Sequence, residues 1–388
     1  MHPITADDDR LTLELSQRLI RTNTVDPPGN ELPAAIIVRD FLADYGIESR
    51  LIEIGSNRAA LIARIRGNSR SGALIYSAHL DTIPVDEDEW SVPPFDGRVI
   101  DDKLYGRGAT DMKAALASMT VAAIAIKRSQ IPLDSDLVLA YTAAENTDCA
   151  GAHAILQSGE LDEASALLIS EPTSMDIFVA EKGALWLRAI ASGEPGHNAF
   201  SEDRDGDRGN AILRMADFLV HLQTLTFEAP QHNLLGPPTL NVGQIEGGVS
   251  FPIIPHRCSA TIDIRTVPGM DEDAIVRQIN QIAGPHISID FVESKPPVET
   301  DPDHPFVRLC QSVSSDTGDR FPALAGVPYY TDGAIFAPAL GIPMAILGPG
   351  EVGLSGTVDE FVRLSSLYAS TRIFAEIAAR YLSASKIQ

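Results

Sequence analysis

"GALIYSAH", residues 72–79, opens on a glycine, passes through a short apolar run and stops on a histidine. A run so short and so apolar reads as a strand buried on both faces, with His79 at its C-terminal end. Working outward, "MKAALASMTVAAIAIKRS" (112–129) is apolar nearly all round and reads as a core helix. "DLVLAYTAA" (136–144) and "ALLIS" (166–170) are further buried strands. Upstream lie two amphipathic helical patterns, 9–22 and 31–47, and an extended "RAALIARIRG" (58–67). Strands alternating with helices predict an α/β domain of three layers, helices covering both faces of a mixed sheet. In such sheets ligands collect at the strand ends, so the polar residues there draw interest.

Beyond residue 181 the texture changes. "GALWLRAIAS" (183–192), "PTLNVGQIEGG" (238–248), "CSATIDIRTVPG" (258–269) and "HISIDFVES" (286–294) alternate between two faces. Helical patterns at 208–225 and 271–284 separate them, which predicts a small α+β sandwich inserted into the larger domain. The expected division is 1–181 and 294–388 for the catalytic domain and 182–293 for the insert. After the proline-rich "SKPPVETDPDHP" the α/β pattern resumes, with a strand in "IPMAILGPG" and a final helix within 359–382.

The chain has 388 residues, which suggests two domains. Its 53 acidic and 30 basic residues give a net charge of -23, which argues against a nucleic-acid or anionic-membrane partner and leaves a small-molecule substrate. No basic and apolar leader opens the sequence and no run of 18 apolar residues occurs, so a cytoplasmic location is expected. Cys149, Cys258 and Cys310 have no paired spacing and are expected as free thiols.

Four strand-end segments carry the chemistry. "SAHLDTIPV" presents His79 and Asp81, "GRGATDMKAA" sets Asp111 before a helix, "AENTD" presents Glu145, and "LLISEPT" ends on Glu171. One imidazole and two carboxylates form a mixed nitrogen and oxygen site for one divalent ion, Zn2+, Mn2+ or Co2+. Asp81 is placed to fix the imidazole tautomer or to orient a neighbouring carboxylate. Taken singly, an Asp before a helix is an N-cap and a Glu before proline is a surface residue.

These segments, with Gly196 and His197, "IDIRTVPG" and "TDGAIFAPALGIPMAILGPG", resemble the superfamily of aminoacylase, acetylornithine deacetylase, succinyl-diaminopimelate desuccinylase and glutamate carboxypeptidase. The resemblance covers nearly the whole chain. It implies an α/β catalytic domain with two bridged metal ions and a small α+β domain that forms a homodimer. It also implies that His79, Asp111 and Glu171 hold one ion, with Asp111 the bridging carboxylate and Asp81 the acid behind the histidine. Glu145 matches the general base that moves a proton from water to the leaving amine. His197 matches a histidine that reaches the partner subunit's site and helps hold an oxyanion.

Two positions depart from that pattern. Asn146 stands where the family has an acidic ligand to the second ion, and in "SGTVDE" Gly356 stands where it has a histidine. An amide oxygen is a weak donor and glycine offers none, so the expectation is a mononuclear site. Asp148 and His153 are read as a loop cap and a helix-face histidine, and "TVDE" (357–360) as a capping box before the final helix. The carboxylate-binding arginine of relatives is missing after "TD", where Gly333 and Ala334 stand, and Pro252 occupies a family asparagine position. Tyr329, Tyr330 and Arg265 are then the candidate substrate contacts.

The leading expectation is a metal-dependent hydrolase of a carbon-nitrogen bond with Glu145 as base. Hydrolytic deamination of an activated, nitroanthranilate-like aromatic amine on the same site is a variant. A catalytically silent binding protein and a conventional dinuclear deacylase of N-acyl amino acids are the alternatives.

Overall fold

The computed structural model describes residues 4–200, 209–317 and 321–383. It divides into two units: Met1–Ala180 with Glu299–Gly326 and Thr331–Gln388, and Glu181–Val298 with Val327–Tyr330. The second unit runs past residue 293 because the strand Ile287–Lys295 keeps its pairing to the end, Lys295 standing opposite Ala184.

The first unit is built on a mixed sheet. Its central strands, Ser69–His79, Ser135–Thr142 and Ala164–Ile169, run parallel, with Ser69–His79 in the middle. Arg58–Ile65 pairs antiparallel to Ser135–Thr142, and Met344–Ile346 pairs parallel to Ala164–Ile169. Their buried faces carry Leu74, Ile75, Tyr76, Leu137, Leu139, Leu167 and Leu168, so both sides of the sheet must be covered.

On one side the helices Ala6–Ile20, Lys113–Ser129 and Leu364–Ser383 pack together. Every residue from Lys113 to Ile126 is buried. The alanines at 114, 115, 117, 122, 123 and 125 make this possible, since they favour helix and let neighbours approach closely. The helix stops at Gln130, which takes the left-handed conformation at φ 54°. The helices Ala150–Gln157 and Gly333–Leu340 pack on each other apart from that group, Ala150–Gln157 against Arg58–Ile65 and Ser135–Thr142 and Gly333–Leu340 against Ala164–Ile169.

The second unit has a four-stranded antiparallel sheet in the order Thr239–Gly247, Arg257–Thr266, Gly183–Ser192, Ile287–Lys295. Its central strand alternates in burial along Arg257–Thr266, and the buried residues meet Met215 and Phe218 of Ala211–Gln223 and Ile275 and Ile279 of Glu272–Ala283. A half-buried sheet under two helices is the sandwich that its period-2 pattern predicts.

The final helix departs from expectation at its start. Residues 357–360 do not cap it: the strand Phe361–Arg363 intervenes, pairing with Lys103–Tyr105, and the helix begins at Leu364. Glu360 is consequently freed for another task.

Candidate metal centre

Because the three central strands are parallel, their C-terminal ends share one edge of the sheet. His79 is the last residue of one strand, Glu145 follows the second and Glu171 the third. Asp111 comes to the same place just ahead of the helix Lys113–Ser129. One donor atom each from His79, Asp111 and Glu171 lie within 4.8 Å of one another. His79 Nε2 is 2.9 Å from Asp111 Oδ1 and 3.6 Å from Glu171 Oε1.

His79 Nδ1 is 2.9 Å from the carbonyl oxygen of Asp81. A carbonyl only accepts, so Nδ1 carries the proton and Nε2 faces the two carboxylates. The tautomer is thus fixed by the Asp81 backbone. The Asp81 carboxylate stands 3.8 Å from Nδ1 and is directed elsewhere. Its Oδ1 accepts from the backbone N–H of Glu145 at 3.2 Å, and its Oδ2 from the backbone N–H of Asn146 at 3.1 Å and from Asn146 Nδ2 at 2.7 Å. The Asp81 side chain thus bonds the backbone of the loop that carries Glu145, while its carbonyl faces His79.

That loop is a tight construction. Ala144 and Cys149 take positive φ values of 65° and 52°. Gly151 returns the chain against the strand end, and a Cβ there would lie 2.4 Å from the backbone nitrogen of Ala143. Thr147 Oγ1 donates to Asp26 Oδ2 at 2.8 Å, and Asp26 is paired with Arg58 at 2.8 Å. Asp148 is exposed and caps the backbone of Ala150, and His153 is exposed on the helix.

Asp111 is held from three directions. Its Oδ1 faces His79, its Oδ2 accepts from Ser355 Oγ, and its backbone N–H donates to Glu360 Oε1 at 3.1 Å. The same Glu360 oxygen accepts from the backbone N–H groups of Gly108 and Thr110 at 3.1 and 2.8 Å. Glu360 Oε2 is paired with Arg107, and both side chains are almost wholly buried. Arg107 also donates to the carbonyls of Gly356 and Thr357 at 3.2 and 3.4 Å. A capping-box motif hid this role of Glu360. The signal lay in its arginine partner inside "GRGATD", which no spacing rule connects to residue 360.

Asp332 is a further acid that the sequence reading passed over, although "TDGAIF" displayed it. It is buried, and its Oδ2 accepts from Thr142 Oγ1.

The electrostatics are those of anions crowded in a poorly solvated place. Burial pushes Glu171 and Glu145 well above the ordinary carboxylate range, and the neighbouring Asp111 pushes Glu171 further. Burial and the charge of Asp81 hold Asp332 up at about 6. For His79 burial works downward, but the hydrogen bond with Asp111 and the charges of Asp81, Asp111 and Glu171 hold it well above its ordinary value. A cation would relieve this crowding. One imidazole nitrogen and two carboxylate oxygens at mutual reach fit Zn2+, Mn2+ or Co2+.

The two positions that break the family pattern carry neither a carboxylate nor an imidazole. The Asn146 amide donates to Asp81. Gly356 has φ 75°, and a Cβ there would lie 2.7 Å from Ile83 Cδ1.

The remaining residues of interest lie in the second unit. His197 is exposed, on a short strand paired with Ile253 and Ile254, and its Nδ1 accepts from the backbone of Ala199 at 3.1 Å. Tyr330 is buried edge-on against Trp186, with Lys295 Nζ 4.7 Å and the Arg265 guanidinium 5.6 Å from its ring centre. Arg265 is paired with Asp263 at 3.2 Å. Tyr329 is half-buried.

A family model described as peptidase family M20/M25/M40 matches residues 75–380. A Staphylococcus epidermidis protein named "Probable succinyl-diaminopimelate desuccinylase" is 27% identical, over 91% of this chain and 94% of that protein. An acetylornithine deacetylase of Salmonella arizonae is 27% identical, over 95% of this chain and 97% of that protein. Among solved structures, an M20 family metallo-carboxypeptidase from Sulfolobus solfataricus superposes with a TM-score of 0.78 at 19% identity, covering 97% of this chain and 99% of that one. A Bacillus subtilis protein described as a dinuclear metal binding peptidase of the M20 family superposes with a TM-score of 0.75 at 15% identity, covering 97% and 99%.

Proposed function

The chain belongs to peptidase family M20/M25/M40, a family of metal-dependent hydrolases, and from that premise we propose that it cleaves a carbon-nitrogen bond with a single divalent ion. His79, Asp111 and Glu171 would hold the ion. When bound, it supplies a Lewis acid for the electrophile and a water of lowered pKa.

The chain's own groups do the rest. Glu145 takes the proton of the attacking water and returns it to the leaving nitrogen. A carboxyl held above the ordinary range by burial is suited to giving a proton back as well as taking one. Asp81 fixes the height of Glu145 by accepting its backbone N–H, while its carbonyl keeps His79 in the Nε2-coordinating tautomer. The relatives named desuccinylase and deacetylase favour an acylated amine as substrate over an aryl amine. The rings and charges of Tyr330 and Arg265 are already engaged by Lys295 and Asp263, which further weakens the aryl-amine reading. The assembly of ligands, base and positioning residues in one place speaks against a silent binding protein.

The observation that carries the one-ion reading is the pair of residues at the second position: Asn146, tied to Asp81 through its Nδ2, has only a neutral amide oxygen to offer, and Gly356 has no side chain. The reading extends to a homodimer through the inserted unit, with His197 serving the partner's site. The exposed edge strand Thr239–Gly247 and the exposed Phe251 support that part. Three buried cysteines outside any disulfide suit a reducing cytoplasm.

The test combines metal content per chain, after reconstitution with Zn2+, Mn2+ or Co2+, with amine release from a panel of N-succinyl and N-acetyl amino acids and aryl amines. One ion and release from acylated amines are expected. Two tightly held ions would overturn the one-ion reading, and release only from aryl amines would replace the amide by the deaminase.

A further inference from the structure

The reading of one ion leaves a question about Asp111. A carboxylate that bridges two cations has both oxygens engaged, but with one ion its second oxygen needs another partner. That partner is present. Oδ1 faces His79 Nε2 at 2.9 Å, and Oδ2 accepts from the hydroxyl of Ser355. We propose that Ser355 is a positioning residue of the metal centre, its hydroxyl proton engaging the Asp111 oxygen that a second cation would require.

Three features of the loop argue that the contact is built in. Arg107 pins the loop beside Ser355 through the carbonyls of Gly356 and Thr357. The carboxylate that pairs with Arg107, Glu360, also accepts the backbone N–H of Asp111, so donor and acceptor are fixed by one ion pair. The course that brings Ser355 onto Asp111 gives Gly356 φ 75°, and Ile83 Cδ1 would be 2.7 Å from a Cβ there. The path that supplies the hydroxyl therefore gives the neighbouring position a left-handed backbone that favours glycine over a ligating side chain.

The chemistry follows from charge. A hydroxyl donated to a carboxylate oxygen is a charge-assisted bond that localises negative charge there and fixes the torsion of the carboxylate. Asp111 is then presented to the ion through Oδ1, in one orientation. Without the hydroxyl, Oδ2 competes for the ion or turns to solvent, and the ligand loses its preorganisation. Outer groups of this type alter metal affinity about 10- to 100-fold.

This inference rests on the one-ion reading, and its test separates the two. The metal-stripped protein and the variants Ser355→Ala and Ser355→Thr would be titrated with Zn2+ and Mn2+ against a competing chelating dye, and with Co2+ by visible absorption. Ser355 is exposed, and thermal melting checks that each variant is folded. Ser355→Ala is expected to bind one ion about 10- to 100-fold more weakly with an altered Co2+ spectrum, while Ser355→Thr keeps affinity and spectrum. If Ser355→Ala binds one ion as tightly as the parent and with the same spectrum, the role of Ser355 is refuted and the one-ion reading stands. Equal loss in both variants also refutes it, because the hydroxyl is retained in one of them. Two ions in the parent protein would sink the one-ion reading and this inference together.

Discussion

Asn146 Nδ2 donates to Asp81 Oδ2 at 2.7 Å, and the backbone N–H of the same residue reaches the same oxygen at 3.1 Å. The residue is a double tie on a buried carboxylate. Replacing it by glutamate sets a second negative charge beside Asp81 and removes a donor. Asn146→Glu should destabilise the metal-free protein by about 1–3 kcal/mol, and excess Zn2+ should restore more stability in the variant than in the parent. Thermal melting with and without metal reads both effects, and a variant as stable as the parent without metal would refute the tie.

In the function proposed, Glu145 would carry the proton transfer and give no donor to the ion. Glu145→Gln should lower turnover roughly 100- to 10,000-fold while leaving metal affinity close to that of the parent. Loss of the metal together with turnover would instead make Glu145 a ligand. Metal content measured beside initial rates distinguishes the two.

Glu360 gathers three backbone N–H groups and the Arg107 guanidinium in a place closed to water. Glu360→Ala leaves a buried guanidinium without its carboxylate and should cost about 3–5 kcal/mol in urea unfolding. Metal affinity should fall with it, since Asp111 loses the anchor of its backbone. An unfolding midpoint within error of the parent would contradict this account.

The pH dependence of the stripped protein has a definite sign. Glu171 and Glu145 lie above the ordinary carboxylate range through burial, Asp332 is pushed from 3.8 to about 6 mainly by burial, and His79 is held up by its acidic neighbours. Each group keeps a proton in the folded chain that it would release on unfolding, so stability falls as pH rises through the folded values. Asp111 is displaced downward and acts in the opposite sense, but below its ordinary value of 3.8. Lys113, which burial pushes down from 10.5 to about 7, acts in the opposite sense above pH 7, so the melting temperature of the metal-free protein should decline from about pH 5 to about pH 7. The stabilisation by added metal should grow over the same interval, because binding expels these protons. A flat profile without metal would contradict the crowding of anions described above.

The layered fold and the three candidate ligands were legible because they depend on local signals. "GALIYSAH" shows its strand by composition and its ligand by position, and Asp111 and Glu171 adjoin an apolar helix and an apolar strand. What escaped depends on contacts between distant parts of the chain. Ser355 looks like any loop serine until its hydroxyl is found on Asp111, 244 residues earlier. Glu360 satisfies a local capping rule, and only the intervening strand Phe361–Arg363 reveals that the rule does not apply. Asp81 showed that a residue can act through its backbone on one neighbour and its side chain on another, a division that spacing does not encode.

The separation of Asp111 from Glu360, 249 residues in sequence, bears on how the living cell loads the protein. A ribosome has delivered all three candidate ligands once it passes Glu171, whereas Ser355 and Glu360, which hold Asp111, are added much later. A nascent chain at that point would carry the acidic cluster without the groups that settle the orientation of Asp111. A chain cut short ahead of residue 355 would keep all three candidate ligands and lose the groups that orient Asp111.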